Sequence, residues 1–295
     1  MTPSPPDRRL VLAAGGAALL CLPSAPAAAD AGWRAARGLA AVEARIGGRV
    51  GVAAWDTGSD AWVRWRARER FAFCSTFKAL LAAAILARVD AGRLTLDRRV
   101  AFTRADLPGY APRTTAHLAE GAMSVGDLCA AAVEVSDNGA ANLLLGLVGG
   151  PDGLTAWLRT IGDPVGRLDR IEPFLNTSLP GDVRDTTTPE AFLRVLRRLL
   201  LGRVLATASR ERLTAWMIAC ETGAARLRAG LPSGWRVGDK TGTGDRGAVN
   251  DVAIAWPPAR APILIAAFLA GSTRPAADLE AAHADIARIL VAAFG

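Results

Sequence analysis

The order of the secondary-structure signals along this chain constrains its fold more than any other feature of the sequence. Apolar runs typical of β-strands occur near both ends of the chain: residues 50–55, 61–65, 235–241, 248–256 and 262–269. The last run is apolar throughout, as in a central strand that is buried on both faces. Because strands from both ends must share one sheet, we expect a discontinuous α/β domain, residues 30–73 and 219–295, into which an all-helical domain, residues 74–218, is inserted.

Helical patterns occupy the middle of the chain and flank the strand signals. The predicted helices are Trp33–Ile46, Ser75–Val89, Val125–Val135, Asn138–Val148, Pro151–Ile161, Thr188–Leu201, Glu211–Cys220 and Ala276–Phe294. Between residues 162 and 187 proline and glycine interrupt every pattern, which predicts a long loop. Loops of this length within compact domains are usually functional.

The first 29 residues have the composition of an export signal. Arg8 and Arg9 precede an apolar run, residues 10–22, and a run of alanines suited to cleavage follows it. The apolar run is too short to span a bilayer, and its cysteine lies in a poor context for lipid attachment. We therefore expect cleavage near Ala29 and Asp30, and a periplasmic or secreted product without a membrane anchor. The twin arginines weakly indicate export in the folded state.

Charge and potential metal ligands argue against two classes of function. The formal net charge is +7, but the arginines are scattered and no stripe of basic and aromatic residues occurs, so we expect no nucleic-acid partner. His117 and His283 lie far apart, and Cys74, Cys129 and Cys220 have no C-x-x-C spacing. We therefore expect no metal, no cofactor and buried, inert thiols.

Both lysines of the chain lie in short polar motifs, although the sequence contains 35 basic side chains. Lys78 follows Ser75 by three residues, which on a helix would bring both side chains to one face. The other lysine begins the tripeptide Lys240-Thr241-Gly242. An ammonium group can lose its proton once it is desolvated, so each lysine is a candidate base or proton relay, and Ser75 is a candidate nucleophile.

Four polar motifs occur in a fixed order along the chain: Ser75-Thr76-Phe77-Lys78, Ser136-Asp137-Asn138, Glu172-Pro173-Phe174-Leu175-Asn176 and Lys240-Thr241-Gly242. In these motifs the chain resembles the class A serine β-lactamases, and the resemblance covers essentially everything beyond the signal segment. It implies the fold shared by serine β-lactamases and penicillin-binding proteins, which is α/β plus all-α, with an antiparallel sheet flanked by helices and an inserted helical domain. It also implies hydrolysis of the β-lactam amide of penicillins and cephalosporins.

The resemblance implies a role for each acylation residue. Ser75 would attack the β-lactam carbonyl, while the backbone N–H groups of Ser75 and Thr243 would form the oxyanion hole. Ser136 would protonate the departing ring nitrogen, and Lys240 would hold the Ser136 hydroxyl and attract the substrate carboxylate.

Further residues would bind the substrate. Asn138 would contact the acylamino group, and the strand would present three residues: Thr241, Gly242 and Thr243. The strand arginine that often meets the substrate carboxylate in this family is replaced by Val249, so Arg226 is the candidate donor, although it could also be a solvated arginine. Tyr110 is predicted to lie at the mouth of the site and to stack on substrate rings, with a core aromatic as the alternative.

Deacylation requires a water that is activated next to the ester. The resemblance implies that Glu172 is the base and that Asn176 is the second ligand of this water. Arg170 and Asp185 resemble the ion pair that holds the ends of the family's loop together. Whether Lys78 or Glu172 removes the first proton stays open.

The cysteines depart from two pairings of the family. The partner position of Cys74 is occupied by Gly244, and that of Cys129 by Ala82. Neither disulfide can form, so the sequence does not support carbapenem hydrolysis.

Two other functions share part of this motif set. A cell-wall transpeptidase would lack Glu172 and Asn176, and a sensor or binding protein would be acylated without being deacylated. The complete set favours a hydrolase with a small-molecule β-lactam substrate, and nothing in the sequence indicates more than a monomer.

Overall fold

The computed structural model describes residues 1–2 and 25–295. Within the second range, side chains are described from residue 32 onward. Most of the predicted export signal, residues 3–24 of 1–29, lies outside the described residues. In the part that is described, no helix has both the length and the apolar character needed to cross a membrane.

The strands of the described chain form one large sheet and two short ribbons. Their bounds are β1 Arg49–Asp56, β2 Ala61–Trp65, β3 Phe71–Ala72, β4 Arg99–Ala101, β5 Ala122–Ser124, β6 Thr186–Thr187, β7 Arg236–Thr243, β8 Val249–Trp256 and β9 Ile263–Ala270. The large sheet has the order β2-β1-β9-β8-β7 and is antiparallel, while β3 pairs with β6 and β4 with β5. Strands from the two ends of the chain therefore share one sheet, as the sequence predicts.

Eight of the described helices lie where the sequence patterns predict them, although two of these begin four or more residues earlier than predicted, and two short helices were not predicted. Their bounds are α1 Ala25–Ile46, α2 Phe77–Asp90, α3 Pro112–Ala116, α4 Val125–Glu134, α5 Asn138–Val148, α6 Gly150–Thr160, α7 Pro189–Leu200, α8 Thr207–Ile218, α9 Leu227–Gly230 and α10 Ala276–Phe294. Three-residue 3₁₀ turns cover Cys74–Thr76, Arg104–Asp106 and Phe174–Asn176. The boundaries of the α/β and all-helical domains stay a prediction.

The central strand β9 is buried on both faces, which confirms the sequence prediction. Alternate residues such as Ile265 and Leu269 pack with Leu39 of α1 and Ile286 of α10. We call this cluster, formed by one face of the sheet with α1 and α10, the outer layer. On the opposite face Phe268 packs against the aromatic ring of Phe192 in α7, with ring centroids 6.0 Å apart.

Helix α2 passes through the centre of the molecule and is buried from Phe77 to Leu86. Its apolar residues occur on every side, as expected for a helix that is surrounded by protein. The sequence prediction began this helix at Ser75, whereas the structure has a 3₁₀ turn there. Cys74, the first residue of this turn, has a positive φ of 44°, so a right-handed α-helix cannot continue back through it. The backbone therefore turns sharply immediately before Ser75.

Candidate active site

A cavity of about 500 Å³ lies between the C-terminal part of β7, the 3₁₀ turn of Ser75 and the turn at Ser136. The residues around it are Ser75, Tyr110, Ser136, Asn138, Asn176, Thr222, Arg226, Thr241, Gly242, Thr243 and Glu280. All of them except Thr222 and Glu280 are predicted site residues. Residues from distant parts of the sequence thus meet at one concave surface, as expected for a small-molecule site.

The other predicted catalytic residues are Lys78, Glu172 and Lys240, and they lie just behind the cavity wall. The two lysine residues are fully buried and Glu172 is 1 % exposed. Each of them forms a hydrogen bond to Ser75 or Ser136, which line the cavity. We call Ser75, Lys78, Ser136, Glu172 and Lys240 together the buried polar layer.

The carboxylate of Glu172 connects the candidate nucleophile to the candidate base. Ser75 Oγ donates a hydrogen bond to Glu172 Oε1 over 3.3 Å, and Lys78 Nζ lies 3.0 Å from the same oxygen. A proton that leaves the serine hydroxyl therefore has an acceptor within direct reach.

Lys78 is held by groups from the Ser136 turn. Its ammonium donates to the Ser136 carbonyl oxygen over 2.8 Å and to Asn138 Oδ1 over 2.5 Å. Burial lowers the pKa of Lys78, and the charge of Glu172 opposes that shift. The side chain is thus positioned at the start of α2 as an amine whose proton is more readily lost than in water.

Lys240 contacts the second serine of the site. Its Nζ donates to Ser136 Oγ over 3.0 Å and to the Thr241 carbonyl oxygen over 2.9 Å. Burial lowers the pKa of Lys240 to about 7, and the charge of Lys78 adds to this lowering. An amine with this pKa can hold or release a proton at the Ser136 hydroxyl near neutral pH.

The Ser136 turn is strained and is fixed by the residue that follows it. Ser136 has a φ of 60°, which is uncommon for a residue with a side chain. Asp137 accepts hydrogen bonds from the backbone N–H groups of Thr114 and Ala140 over 2.9 Å and 2.8 Å. Asp137 therefore holds the turn through these backbone groups. Strain of this kind is often found at functional sites.

The predicted loop of residues 162–187 supplies Glu172 and holds it by hydrogen bonds. Asn176 Nδ2 donates to Glu172 Oε2 over 2.6 Å, and the side-chain amide of Asn142 exchanges two hydrogen bonds of 3.0 Å with the backbone of Glu172. The Glu172–Pro173 peptide bond is cis. Asn142 was not predicted as a site residue, although it lies four residues after Asn138 and so on the same face of α5.

Arg170 and Asp185 join the two ends of this loop. Arg170 Nε donates to Asp185 Oδ2 over 2.5 Å, and the backbone N–H groups of Asp169 and Arg170 donate to Asp185 Oδ1 over 2.7 Å and 2.9 Å. The Asp185 side chain is fully buried. Its three donors offset the cost of burying a carboxylate.

Strand β7 lies directly against the nucleophile turn. A Cβ atom at Gly242 would come within 2.9 Å of the Phe73 carbonyl oxygen and 3.1 Å of the Ser75 nitrogen. Only glycine permits this approach without a shift of backbone. The N–H group of Ser75 and the end of β7 at Thr243 therefore border the same part of the cavity.

Arg226 contributes the one guanidinium among the residues that line the cavity. It is 6 % exposed, so the alternative of a solvated arginine is wrong. Its Nη1 donates to the carbonyl oxygens of Gly242 and Asn250 over 3.0 Å and 2.8 Å, and its Nη2 donates to Thr243 Oγ1 over 2.8 Å. Val249 packs into the outer layer and has no place at the cavity wall.

Tyr110 lies at the opening of the cavity and is 55 % exposed. Its backbone carbonyl accepts a hydrogen bond of 3.0 Å from the Asn138 N–H. The alternative of a core aromatic is therefore wrong for this residue.

The described cysteines are all free and buried. Burial raises the pKa of the Cys74 thiol to about 12 and raises the pKa of Cys129 and of Cys220. A Cβ atom at Gly244 would lie 2.7 Å from the Cys74 sulfur, so the glycine occupies the position from which a second cysteine could pair. The thiols are buried, as predicted, and their raised pKa values disfavour the reactive thiolate at neutral pH.

Comparison with known proteins agrees with the fold. The family model described as the beta-lactamase enzyme family matches residues 34–294. Among curated relatives, beta-lactamase CTX-M-8 of Citrobacter amalonaticus is 46 % identical over 261 residues, covering 88 % of this chain and 89 % of that protein. Beta-lactamase L2 of Stenotrophomonas maltophilia is 49 % identical over 247 residues, covering 83 % and 81 %.

Solved structures give the same result. The reconstructed class A beta-lactamase of the last common ancestor of Gram-negative bacteria is 57 % identical, has a TM-score of 0.87, and is matched over 88 % of this chain and 99 % of its own. The chain therefore belongs to the class A serine β-lactamase family. It is an enzyme that hydrolyses β-lactams.

Proposed function

We propose that the enzyme hydrolyses the β-lactam amide of penicillins and cephalosporins through an acyl-enzyme on Ser75, which is deacylated by a water that Glu172 activates. The observation that carries the proposal is the position of the Glu172 carboxylate, 3.3 Å from Ser75 Oγ and bound by Asn176 on its other oxygen. A base at this position can serve a water that attacks the ester carbonyl.

In the acylation step Ser75 Oγ forms a bond to the β-lactam carbonyl carbon, and the C–N bond of the ring breaks. The serine proton moves to Glu172, whose Oε1 lies 3.3 Å from Ser75 Oγ, or to the amine of Lys78, which contacts the same carboxylate oxygen. The ring nitrogen takes a proton from Ser136, whose hydroxyl is in contact with Lys240. Ser136 is reprotonated by the proton that left Ser75, relayed through Lys78, whose Nζ lies 3.5 Å from Ser136 Oγ and 3.0 Å from Glu172 Oε1. Glu172 is therefore ionised again when deacylation begins. The N–H groups of Ser75 and Thr243 stabilise the negative charge that develops on the carbonyl oxygen.

In the deacylation step a water adds to the ester carbonyl, gives one proton to Glu172, and releases Ser75 Oγ, which takes a proton back. Asn176 supports this step, since its Oδ1 atom is buried and has no donor among the described residues. Buried acceptors in folded proteins are normally satisfied, often by water. The amide can therefore accept from the same water that Glu172 deprotonates.

The remaining cavity residues bind the substrate. Asn138 is suited to contact the acylamino group, and the exposed ring of Tyr110 is suited to stack on a substrate ring. Thr241, Gly242 and Thr243 form the strand edge along which the substrate lies. Arg226, together with Lys240, supplies positive charge for the substrate carboxylate.

Two alternative functions are disfavoured by the same carboxylate. A transpeptidase or a β-lactam sensor needs Ser75 and the lysines but does not need a base for deacylation. Glu172 is fixed by four hydrogen bonds. Its carboxylate accepts from Ser75 and Asn176, and its backbone carbonyl and N–H each bond to the side-chain amide of Asn142. We further propose that the enzyme acts as an exported monomer after cleavage near Asp30.

Stopped-flow kinetics with a chromogenic cephalosporin test this proposal. We expect the wild-type enzyme to release chromophore steadily over many equivalents. A parallel assay measures the hydrolysis of a penicillin, which should also continue over many equivalents. Release of one equivalent followed by no further release would contradict it and would favour a sensor or transpeptidase. A Ser75→Ala variant gives the background rate.

A further inference from the structure

Two tryptophans of the β1–β2 hairpin stack on each other at the side of the sheet that meets α7. Trp55 and Trp62 are direct partners in the antiparallel pair, and their ring centroids lie 4.4 Å apart. Each ring also has a guanidinium over it. The guanidinium carbon of Arg64 lies 4.1 Å from the centroid of Trp62, and that of Arg197 lies 4.7 Å from the centroid of Trp55. This cation–π stacking gives the two arginine side chains a preferred orientation.

A buried glutamate gathers further arginines at the same place. Glu190, in the first turn of α7, accepts hydrogen bonds from Arg68 over 3.2 Å and from Arg194 over 2.7 Å. Arg64 lies 3.6 Å from the same carboxylate, and Arg194 lies 5.2 Å from the centroid of the Trp62 ring. The glutamate side chain is 8 % exposed, whereas the three arginine side chains are between 41 % and 86 % exposed. The negative charge is therefore covered, and the positive charges face the solvent.

The fold assembles a positively charged surface that the sequence shows only in pieces, since its residues come from β1, β2, the segment after β2, and α7. We call the following residues the arginine surface: Trp55, Trp62, Arg64, Arg68, Arg194 and Arg197. Among the described residues, the acidic groups in contact with it are Glu190 and Asp60, whose carboxylate accepts from Trp55 Nε1 over 2.8 Å. Four positive charges thus meet two negative charges, and a surplus of positive charge remains.

We infer that the arginine surface binds a compact multivalent phosphate anion, a chain of linked phosphate groups. A guanidinium binds phosphate oxygens with paired hydrogen bonds, and its orientation by stacking reduces the entropy lost on binding. Arg64 and Arg194 contact the same ring and the same carboxylate, so the positive charges are concentrated in a small area. A chain of phosphates places several negative charges within such an area, whereas a headgroup such as that of phosphatidylglycerol carries a single charge.

The same stacking disfavours single-stranded nucleic acid as the partner. Proteins bind single strands largely by stacking bases on aromatic side chains. Here one face of each indole meets the other indole, and a guanidinium lies over the opposite face. Neither tryptophan therefore has a face left for a base.

Isothermal titration calorimetry of the enzyme with sodium triphosphate at low ionic strength tests the inference. We expect saturable binding that weakens as salt is added, and binding of inorganic phosphate that is weaker by about tenfold because it carries fewer charges. The double variant Arg64→Gln with Arg197→Gln should bind triphosphate about tenfold less tightly, since each exposed charge interaction contributes roughly a factor of two to five.

The matched control is the double variant Arg37→Gln with Arg236→Gln, which removes the same charge elsewhere. Both arginines are exposed and stacked on a tryptophan, Arg37 over Trp33 at 4.7 Å and Arg236 over Trp256 at 4.4 Å. We expect this control to bind triphosphate as tightly as the wild type. Thermal unfolding checks that both double variants are folded.

Several results would overturn the inference. One is the lack of saturable triphosphate binding by the wild type. Another is unchanged affinity in Arg64→Gln with Arg197→Gln, which would place the anion elsewhere, for instance among the basic groups of the active site. Equal losses in the two double variants would show an effect of net charge alone. Tighter binding of phosphatidylglycerol vesicles or of duplex DNA than of triphosphate would identify a different partner.

Discussion

The outer layer and the buried polar layer are both shielded from water, but they bury opposite kinds of side chain. In the outer layer, Ile265 and Leu269 of β9 meet aliphatic residues of α1 and α10. In the buried polar layer, the ammonium groups of Lys78 and Lys240 lie beside the carboxylate of Glu172 and the hydroxyls of two serines. The outer layer is thus aliphatic, whereas the buried polar layer is charged.

The difference shows which region stabilises the fold and which one carries the chemistry. Burial of apolar area contributes about 25 cal/mol per Å², whereas burial of a charged group costs free energy unless it is paired. The lowered pKa of Lys78 and of Lys240 reflects that cost. We therefore expect changes in the outer layer to reduce stability without changing turnover, and changes in the polar layer to reduce turnover first.

The largest expected effect on stability is that of Ile265→Ala in the outer layer. Ile265 is 1 % exposed, so removal of three carbon atoms leaves a cavity and should lower the free energy of unfolding by about 2–5 kcal/mol. Urea denaturation measures this loss. The kcat of the folded enzyme should stay the same, and a fall in kcat would break the division between the two layers. Leu201→Ala, at a partly exposed leucine, should change stability by less than about 0.5 kcal/mol.

A buried histidine of α10 makes the stability of the protein depend on pH. His283 of α10 is fully buried, and its Nε2 contacts the Val249 carbonyl oxygen over 3.0 Å. Burial, together with the charge of Arg226, lowers the pKa of His283 to about 3. Between pH 6.5 and this value, the unfolded chain binds a proton that the folded chain does not. The free energy of unfolding should therefore fall as pH falls through this window.

The variant His283→Gln removes this titration. Relative to the variant, the wild type should lose about 3 kcal/mol of stability between pH 6.5 and pH 4. Urea denaturation at several pH values measures the difference. His117→Gln, at an exposed histidine, should behave like the wild type. If the free energy of unfolding depended on pH in the same way for the wild type and for His283→Gln, the acid sensitivity would not arise from His283.

A smaller change in stability than those of Ile265→Ala and His283→Gln is expected for Asp185→Asn, at the ends of the loop that carries Glu172. The amide can still accept hydrogen bonds from the backbone of Asp169 and Arg170, but it loses the ion pair with Arg170. We expect a loss of about 1–2 kcal/mol and a several-fold lower kcat, because Glu172 is held less firmly.

Thermal unfolding and steady-state turnover of both penicillins and cephalosporins measure these two effects. Asp182→Asn, in the same loop, is the control, since its carboxylate pairs mainly with Arg184. Unchanged turnover of bulky and small substrates alike in Asp185→Asn would contradict a role of the ion pair in positioning Glu172.

Most of the fold could be predicted from local sequence patterns. Helix α10 has the predicted bounds, Ala276–Phe294, and α5 begins at Asn138 next to the capping side chain of Asp137. Strand β9 is central because its run of apolar residues has no polar face. The short ribbons β3–β6 and β4–β5 were not predicted, since strands of two or three residues show no periodicity and depend on tertiary contacts.

The candidate site likewise contains residues that could be predicted from the sequence and others that depend on tertiary contacts. The motif residues were predicted because their spacing and chemistry are specific, and the cavity and the layer behind it contain them. Asn142 had a local signal, its separation of four residues from Asn138. Glu280 had none, because it meets Arg226 only through the packing of α10 against α9. The left-handed backbone at Cys74 and Ser136 is likewise set by tertiary structure.

The measurement that tests the account most directly is mass spectrometry of Glu172→Gln mixed with a penicillin, together with the rate of decay of any adduct. We expect acylated Ser75 to accumulate and its hydrolysis to be slowed by about 10²–10⁴-fold, since a general base contributes a factor of this size. No adduct should form in Glu172→Gln combined with Ser75→Ala. Hydrolysis of the adduct at the wild-type rate would contradict the role of Glu172.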